Sequence, residues 1–184
     1  MLARARRRLC RTRARPPLQL VRGDIRALPF ASPSPFRLVM APYGILQSLL
    51  DDEAFDAALK SVAAVSRPGT VFGIDLVTDV PAWDEYKRRV RLRGSRRGSR
   101  ITLVESVRQD PAKRLTFFDQ EYILRRGGSQ QVQRFSLAFR TLPLPDMIAR
   151  VEAAGFDVDA LLGDYDGRPW DIRSEVWLIM ARRR

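Results

Sequence analysis

Two apolar runs joined by one amphipathic helix constrain this chain more than any other feature. Residues 36–41 (FRLVMA) form an apolar run that stops at Pro42, and residues 70–77 (TVFGIDLV) form another after Pro68-Gly69. Runs of this length and composition suit strands buried on both faces, as in a parallel sheet. Between them, Asp51 or Asp52 can cap a helix reaching about Val65, with Phe55, Ala58, Leu59 and Val62 as its apolar stripe. Upstream, Leu2, Ala5 and Leu9 share one helical face before Pro16-Pro17, and residues 18–25 (LQLVRGDI) read as a strand. The order helix, strand, strand, helix, strand predicts an open parallel sheet with crossover helices.

The middle of the chain follows another rule. Segments ITLVESVRQ, RLTFFDQEYIL and QVQRFSLAFRTL read as three antiparallel strands, with Arg126-Gly127-Gly128-Ser129 as a hairpin turn. The regular pattern then returns. Pro145 suits the first turn of a helix striped by Met147, Ile148, Val151 and Ala154, Gly155 ends it, and FDVDALLGDY and SEVWLIMARR close the chain as strands.

Composition removes several chemistries. The chain has no histidine and one cysteine, Cys10. That excludes an internal disulfide, a zinc site of the usual ligands and any Ser-His or Cys-His nucleophile. No apolar run is long enough to cross a bilayer. The formal net charge is +12, but the excess is local. Residues 1–15 hold seven arginines and no acid, residues 87–100 hold eight basic residues and no acid, and three arginines end the chain. Elsewhere acids outnumber bases. Neither basic run is interleaved with aromatics, as a stacking surface for single strands requires, so solvated arginine-rich segments are favoured over a nucleic-acid partner.

Four motifs in order carry a resemblance. They are Gly23-Asp24-Ile25-Arg26-Ala27-Leu28-Pro29-Phe30, then Phe36-Arg37-Leu38-Val39-Met40-Ala41-Pro42-Tyr43, then Arg67-Pro68-Gly69-Thr70-Val71-Phe72, and finally Ala153-Ala154-Gly155-Phe156 before the closing strands. Together they resemble the class I S-adenosylmethionine-dependent methyltransferases over nearly the whole chain, the Arg-Gly-Ser-rich loop excepted. The resemblance implies an α/β, Rossmann-like sheet and S-adenosyl-L-methionine as cofactor. It implies that Asp24 accepts from the adenine amino group and Ile25 packs on the ring. Ala41, Pro42 and Tyr43, with Gln47 just beyond, would lie along the methionine part.

The chain departs from that pattern at its front. The family's first strand, its glycine-rich loop and the acid ending its second strand have no counterpart; Gly94 and Gly98 sit between arginines with no parallel strand before them. The expectation is a single partial domain over residues 1–184, lacking the first two strands, with a small antiparallel β insert at about 80–142. Leu38, Val39 and Met40 would then lie on an unpaired apolar edge, and a stable donor site is not expected in this chain alone. Met1 is read as an internal methionine, with a degenerate remnant as the other explanation.

Methyl transfer from a sulfonium is a direct displacement, so the protein chiefly aligns donor and acceptor, an effect worth ~7–11 kcal/mol in favourable cases. No catalytic residue is assigned. Tyr43, Asp75 and Glu121 are considered as general bases, each with a duller reading as a packed, capping or solvated residue. The insert would cover the active site or pair with a second subunit to form a homodimer, and its Phe117, Phe118, Tyr122, Phe135 and Phe139 would line an acceptor pocket or serve as core. Trp83 and Tyr86 are read as lid residues. The expected partner is a small-molecule methyl acceptor in the cytoplasm, without membrane or nucleic acid. A non-catalytic remnant and a basic nucleic-acid-binding protein remain the alternatives.

Overall fold

The computed structural model describes residues 2–10, 18–31, 36–77, 85–174 and 176–184. Pro16, Pro17 and Trp83, to which expectations were attached, lie outside the described residues.

The helix–strand rhythm yields a four-stranded sheet. The strands are β1 (Leu38–Ala41), β2 (Val71–Val77), β7 (Phe156–Leu162) and β8 (Val176–Arg183), in the order β1-β2-β8-β7. β1 and β2 run parallel, and β8 runs antiparallel to both β2 and β7. The parallel pair is joined by α2 (Asp52–Val65), which starts where the capping argument places it, with the Asp51 carboxylate accepting from the Ala54 N–H at 2.7 Å. Helix α3 (Leu144–Ala153) has Pro145 in its first turn and ends before Gly155, whose φ of 91° is available to glycine at little cost.

Both helices pack on one face of the sheet. The cross-strand pairs Phe72–Ala181, Ile74–Ile179 and Leu76–Trp177 meet Phe55, Leu59 and Val62 of α2 and Met147 and Val151 of α3. Phe72, Val151, Phe156, Ile179 and Ala181 are fully buried there. Arg150 reinforces the layer by donating to Asp56 at 2.7 Å and Asp52 at 2.5 Å, which ties α3 to α2.

The first strands differ from expectation. Residues 18–25 form no strand; they run irregularly into a tight turn closed by the Asp24–Ala27 bridge. A strand needs a neighbour for its ladder, and among the described residues none lies beside this segment. β1 is not buried on both faces either. Among the described residues it pairs with β2 alone, which is the unpaired apolar edge expected of Leu38–Met40, and Leu38 and Met40 are 51% and 67% exposed. A Cβ at Gly73 would lie within 4 Å of Met40 and Met180, so these residues share the face opposite the helices. At the start of the chain, α1 (Leu2–Leu9) keeps Ala5 and Leu9 half-buried and exposes its arginines.

Among the described residues the insert has four strands, not three. β3 (Tyr86–Arg96), β4 (Ser99–Asp110), β5 (Leu115–Arg126) and β6 (Ser129–Arg140) form an antiparallel meander. The basic run read as a loop is the edge strand β3 and its turn. Arg97 and Gly98 both have positive φ, as do Gly127 and Gly128 in the β5–β6 turn, the geometry of tight two-residue hairpins. Charge on an edge strand discourages further pairing, and acids on the next strands receive part of it. Arg88 and Arg134 both bond Glu121, and Arg91 approaches Glu105 at 3.4 Å.

Residues directly opposite share a face. One face carries the rows Tyr86–Val107–Phe118–Leu137 and Glu105–Gln120–Phe135, and the other carries Val104–Glu121–Arg134. On the first face, Glu105 is buried, accepting from the Tyr86 hydroxyl at 2.6 Å and the Gln120 amide at 2.7 Å. Burial, and then the bond to Glu105, raises the Tyr86 hydroxyl above the ordinary tyrosine value. Tyr86 is thus a strand residue bonded within the insert. Arg140, at the end of β6, reaches Asp52 at 2.7 Å and ties the insert to α2.

Candidate functional site

Open α/β sheets bind ligands at the carboxyl ends of their parallel strands. Here those ends are Ala41 of β1 and Val77 of β2. After Ala41 the chain turns sharply at Pro42-Tyr43-Gly44 and enters one helical turn, Ile45–Ser48. Tyr43 and Gly44 have φ of 60° and 61°. A left-handed conformation at a tyrosine costs about 1 kcal/mol or more and persists only where its surroundings impose it.

Asp75 imposes it. Its carboxylate Oδ2 accepts from the Tyr43 N–H at 3.2 Å, and its backbone carbonyl accepts from the Gly44 N–H at 3.1 Å. Gln47 holds the turn from below. Its buried amide donates to the Val77 carbonyl at 3.1 Å and accepts from the Val77 N–H at 2.9 Å. The same Asp75 oxygen accepts from the Tyr165 hydroxyl at 2.5 Å. That bond, with the charge of Asp75 and the proximity of Tyr43 adding to it, raises the Tyr165 hydroxyl above the ordinary tyrosine value. Tyr43 and Tyr165 are 89% and 71% exposed.

Beside this turn opens an apolar cleft of about 420 Å³. Ile25 and Leu28 form one wall, Val39 to Tyr43 another, and Ala58, Val62 and Phe72 close it toward the core. The wall from residue 25 is pinned to α2 by the Leu28 N–H, which donates to Ser61 Oγ at 2.8 Å.

The structure brings four sequence-predicted residues, Ile25, Ala41, Pro42 and Tyr43, to this one cleft. Asp24 precedes Ile25 with its carboxylate on Arg26, which donates from its backbone N–H at 2.9 Å, Nε at 3.1 Å and Nη2 at 2.7 Å. Those bonds hold the Asp24 pKa down at about 2. Gln47 is nearby, but both ends of its amide are engaged by Val77. Of the three bases considered, Asp75 and Tyr43 are in contact. Glu121 lies on the insert between Arg88 and Arg134, whose hydrogen bonds lower its pKa. Phe117 lies against Arg108, Phe118 pairs edge-on with Phe139, and Tyr122 with Phe135.

Sequence reasoning did not single out Tyr165 or Ser61. Tyr165 reaches Asp75 because β8 lies between β2 and β7, bringing the loop after β7 back over the end of β2. Only the run Gly163-Asp164-Tyr165-Asp166-Gly167, a turn composition, hints at a structured loop there.

No family model and no curated protein matches the chain. Solved structures do. A S-adenosylmethionine-dependent methyltransferase from Clostridium acetobutylicum superposes with a TM-score of 0.78 at 13% identity, covering 99% of this chain and 70% of that one. The CcbJ methyltransferase from Streptomyces caelestis gives a TM-score of 0.77 at 14% identity, with the same coverage. CalS10, an amino pentose methyltransferase from Micromonospora echinaspora solved with S-adenosylmethionine bound, gives 0.72 at 20% identity, covering all of this chain and 70% of its own. At these identities the likeness is one of fold. Among the described residues no helix is long and apolar enough to cross a membrane. The chain thus has the fold of the class I S-adenosylmethionine-dependent methyltransferases, a Rossmann-like sheet carrying an antiparallel insert.

Proposed function

We propose that this chain provides the rear wall of a methyl-donor site, and that its function is methyl transfer from S-adenosyl-L-methionine to a small-molecule acceptor. The observation that carries this reading is the convergence of Ile25, Ala41, Pro42 and Tyr43 on one apolar cleft at the carboxyl end of β1. These residues suit the donor. Ile25 and Leu28 offer a flat apolar wall to an adenine ring, and Asp24 stands beside it as acceptor for the amino group. Ala41, Pro42 and Tyr43 follow the strand end where the methionine part would run. Gln47 serves by holding the Val77 end of β2, which keeps that wall in place. When bound, the donor supplies a methyl group already activated by its sulfonium, so the residues have to orient and exclude water rather than generate a nucleophile.

Among the described residues no glycine-rich turn and no acid lines the cleft, so weak binding is expected. The test is titration with S-adenosylhomocysteine followed by amide NMR shifts. Saturable shifts at Ile25, Leu28, Ala41 and Tyr43, abolished by Ala41→Trp, support the reading. Shifts spread over the surface, or indifferent to Ala41→Trp, overturn it.

The acceptor face of the reading includes the insert, which we propose pairs with a second copy. Leu92, Phe135 and Leu137 are 52%, 51% and 45% exposed. They share the face that carries Val107 and Phe118, and an apolar face on a sheet of this size is commonly covered in an assembly. Light scattering should give a dimer mass that Phe135→Glu with Leu137→Lys reduces to a monomer. A monomeric parent protein would refute this pairing.

A further inference from the structure

We infer that the Asp75 carboxylate, with Tyr43 and Tyr165 beside it at the open end of β1 and β2, is the binding point for an acceptor amine in its ammonium form. The inference names the acceptor class within the reading above and rests on it for the chemistry, though not for the binding.

The first ground is uncompensated charge. The chain's formal net charge is +12, yet no arginine or lysine among the described residues forms an ion pair with Asp75. Its known partners, the Tyr43 N–H and the Tyr165 hydroxyl, are neutral donors, and both sit on Oδ2. No hydrogen bond to Oδ1 is found among the described residues, which leaves that oxygen to take a further donor.

The second ground is the surroundings. Asp164 and Asp166 flank Tyr165, and the nearby cation Arg168 is engaged by Asp164, at 3.5 Å from its Nε and 2.9 Å from its backbone N–H. A local excess of carboxylate repels an anionic acceptor and attracts a cationic one. Two largely exposed tyrosine rings add the electron-rich faces on which ammonium groups rest favourably. A neutral hydroxyl would gain little from either.

The third ground is position. Tyr43 belongs both to this group and to the wall of the donor cleft, and its strained backbone is held by Asp75 itself. An ammonium bound at Oδ1 is therefore held beside the cleft, and it passes one proton to that carboxylate before its nitrogen lone pair forms the new N–CH3 bond, the S–CH3 bond of the donor breaking with its electron pair kept on sulfur. A residue that merely clamped the turn would need its oxygen but not its charge, and that difference is measurable.

The test uses the full chain without donor. Cyclohexylammonium chloride and its neutral isostere cyclohexanol are titrated separately while the Tyr43 and Gly44 amide signals are followed. The expected result is saturable movement of both signals with the ammonium, and at least tenfold weaker binding of the alcohol. Asp75→Asn retains an oxygen for Tyr43 and Tyr165 but removes the charge, so it should weaken ammonium binding at least tenfold and leave alcohol binding unchanged. Tyr165→Phe should cost two- to threefold. Equal binding of ammonium and alcohol by the parent chain overturns the inference without need of any variant, as does an Asp75→Asn chain that keeps its ammonium affinity. Parallel titration with S-adenosylhomocysteine separates the two ideas. Donor binding without ammonium binding removes only this inference, and ammonium binding without donor binding removes only the methyl-transfer reading.

Discussion

Replacing Gln47 by methionine tests the physical account of the site most directly. The side chain is 6% exposed, and its amide closes two hydrogen bonds, of 2.9 and 3.1 Å, on the backbone of Val77 at the end of β2. Methionine keeps the volume and abolishes both bonds. Each bond contributes about 1 kcal/mol net, and any peptide group that water then fails to reach costs a further ~1–3 kcal/mol. Val77 is 36% exposed, so water recovers part of the loss. The expected destabilisation is roughly 2–4 kcal/mol, which at ~2–4 °C per kcal/mol for a chain of this size lowers Tm by roughly 4–16 °C. Thermal unfolding by circular dichroism gives the total, and amide hydrogen exchange gives the location. Protection should fall at Val77, Tyr43 and Gly44 and stay unchanged at Ile179 in the core. A Gln47→Met protein melting within 1 °C of its parent, with Val77 still protected, would show that this amide does not secure the end of the sheet.

Other predictions concern the scaffold and its charges. Asp51→Ala removes the carboxylate that caps α2 and should cost about 1 kcal/mol in urea unfolding; no change would mean the cap is redundant. Phe72→Ala empties a fully buried site against Phe156 and should cost ~3–5 kcal/mol; a loss below 1 kcal/mol would contradict the packing described. Leu38→Lys with Met40→Lys places charge on the exposed β1 edge and should reduce self-association seen by dynamic light scattering; unchanged association would exonerate that edge. Asp24 should titrate near pH 2 by carboxyl NMR, and Arg26→Ala should return it to the ordinary aspartate value. Because its folded pKa is depressed, any stability it confers is present above its unfolded value and disappears as pH falls through about 2. Its exposed position keeps that contribution small.

Much of the architecture was legible because it follows from local periodicity. The 51–65 segment announces its cap and stripe, the runs at 36–41 and 70–77 announce strands, and Gly127-Gly128 announces a hairpin whose backbone only glycine adopts freely. The cleft was legible in part, since Ile25 and Ala41–Tyr43 carry a recognisable motif pattern. Two readings failed for one reason. Residues 18–25 look like a strand, and residues 87–100 look like a solvated loop, yet neither state is a local property. The first segment has no described neighbour to accept its ladder, whereas the arginines of the second find β4 beside them and carboxylates on Glu105 and Glu121.

The chemistry at the open end of the sheet was less accessible still. Asp75 and Tyr165 are 90 positions apart, and nothing in either neighbourhood marks them as a pair. What the residues determined alone was the set of strands and helices, the exclusion of histidine and disulfide chemistry, and the apolar wall after β1. Tertiary structure decided which polar groups meet, because hydrogen bonding at a strand end depends on which strand lies alongside. That order, β1-β2-β8-β7, is settled by burial across the whole sheet and not by any one segment.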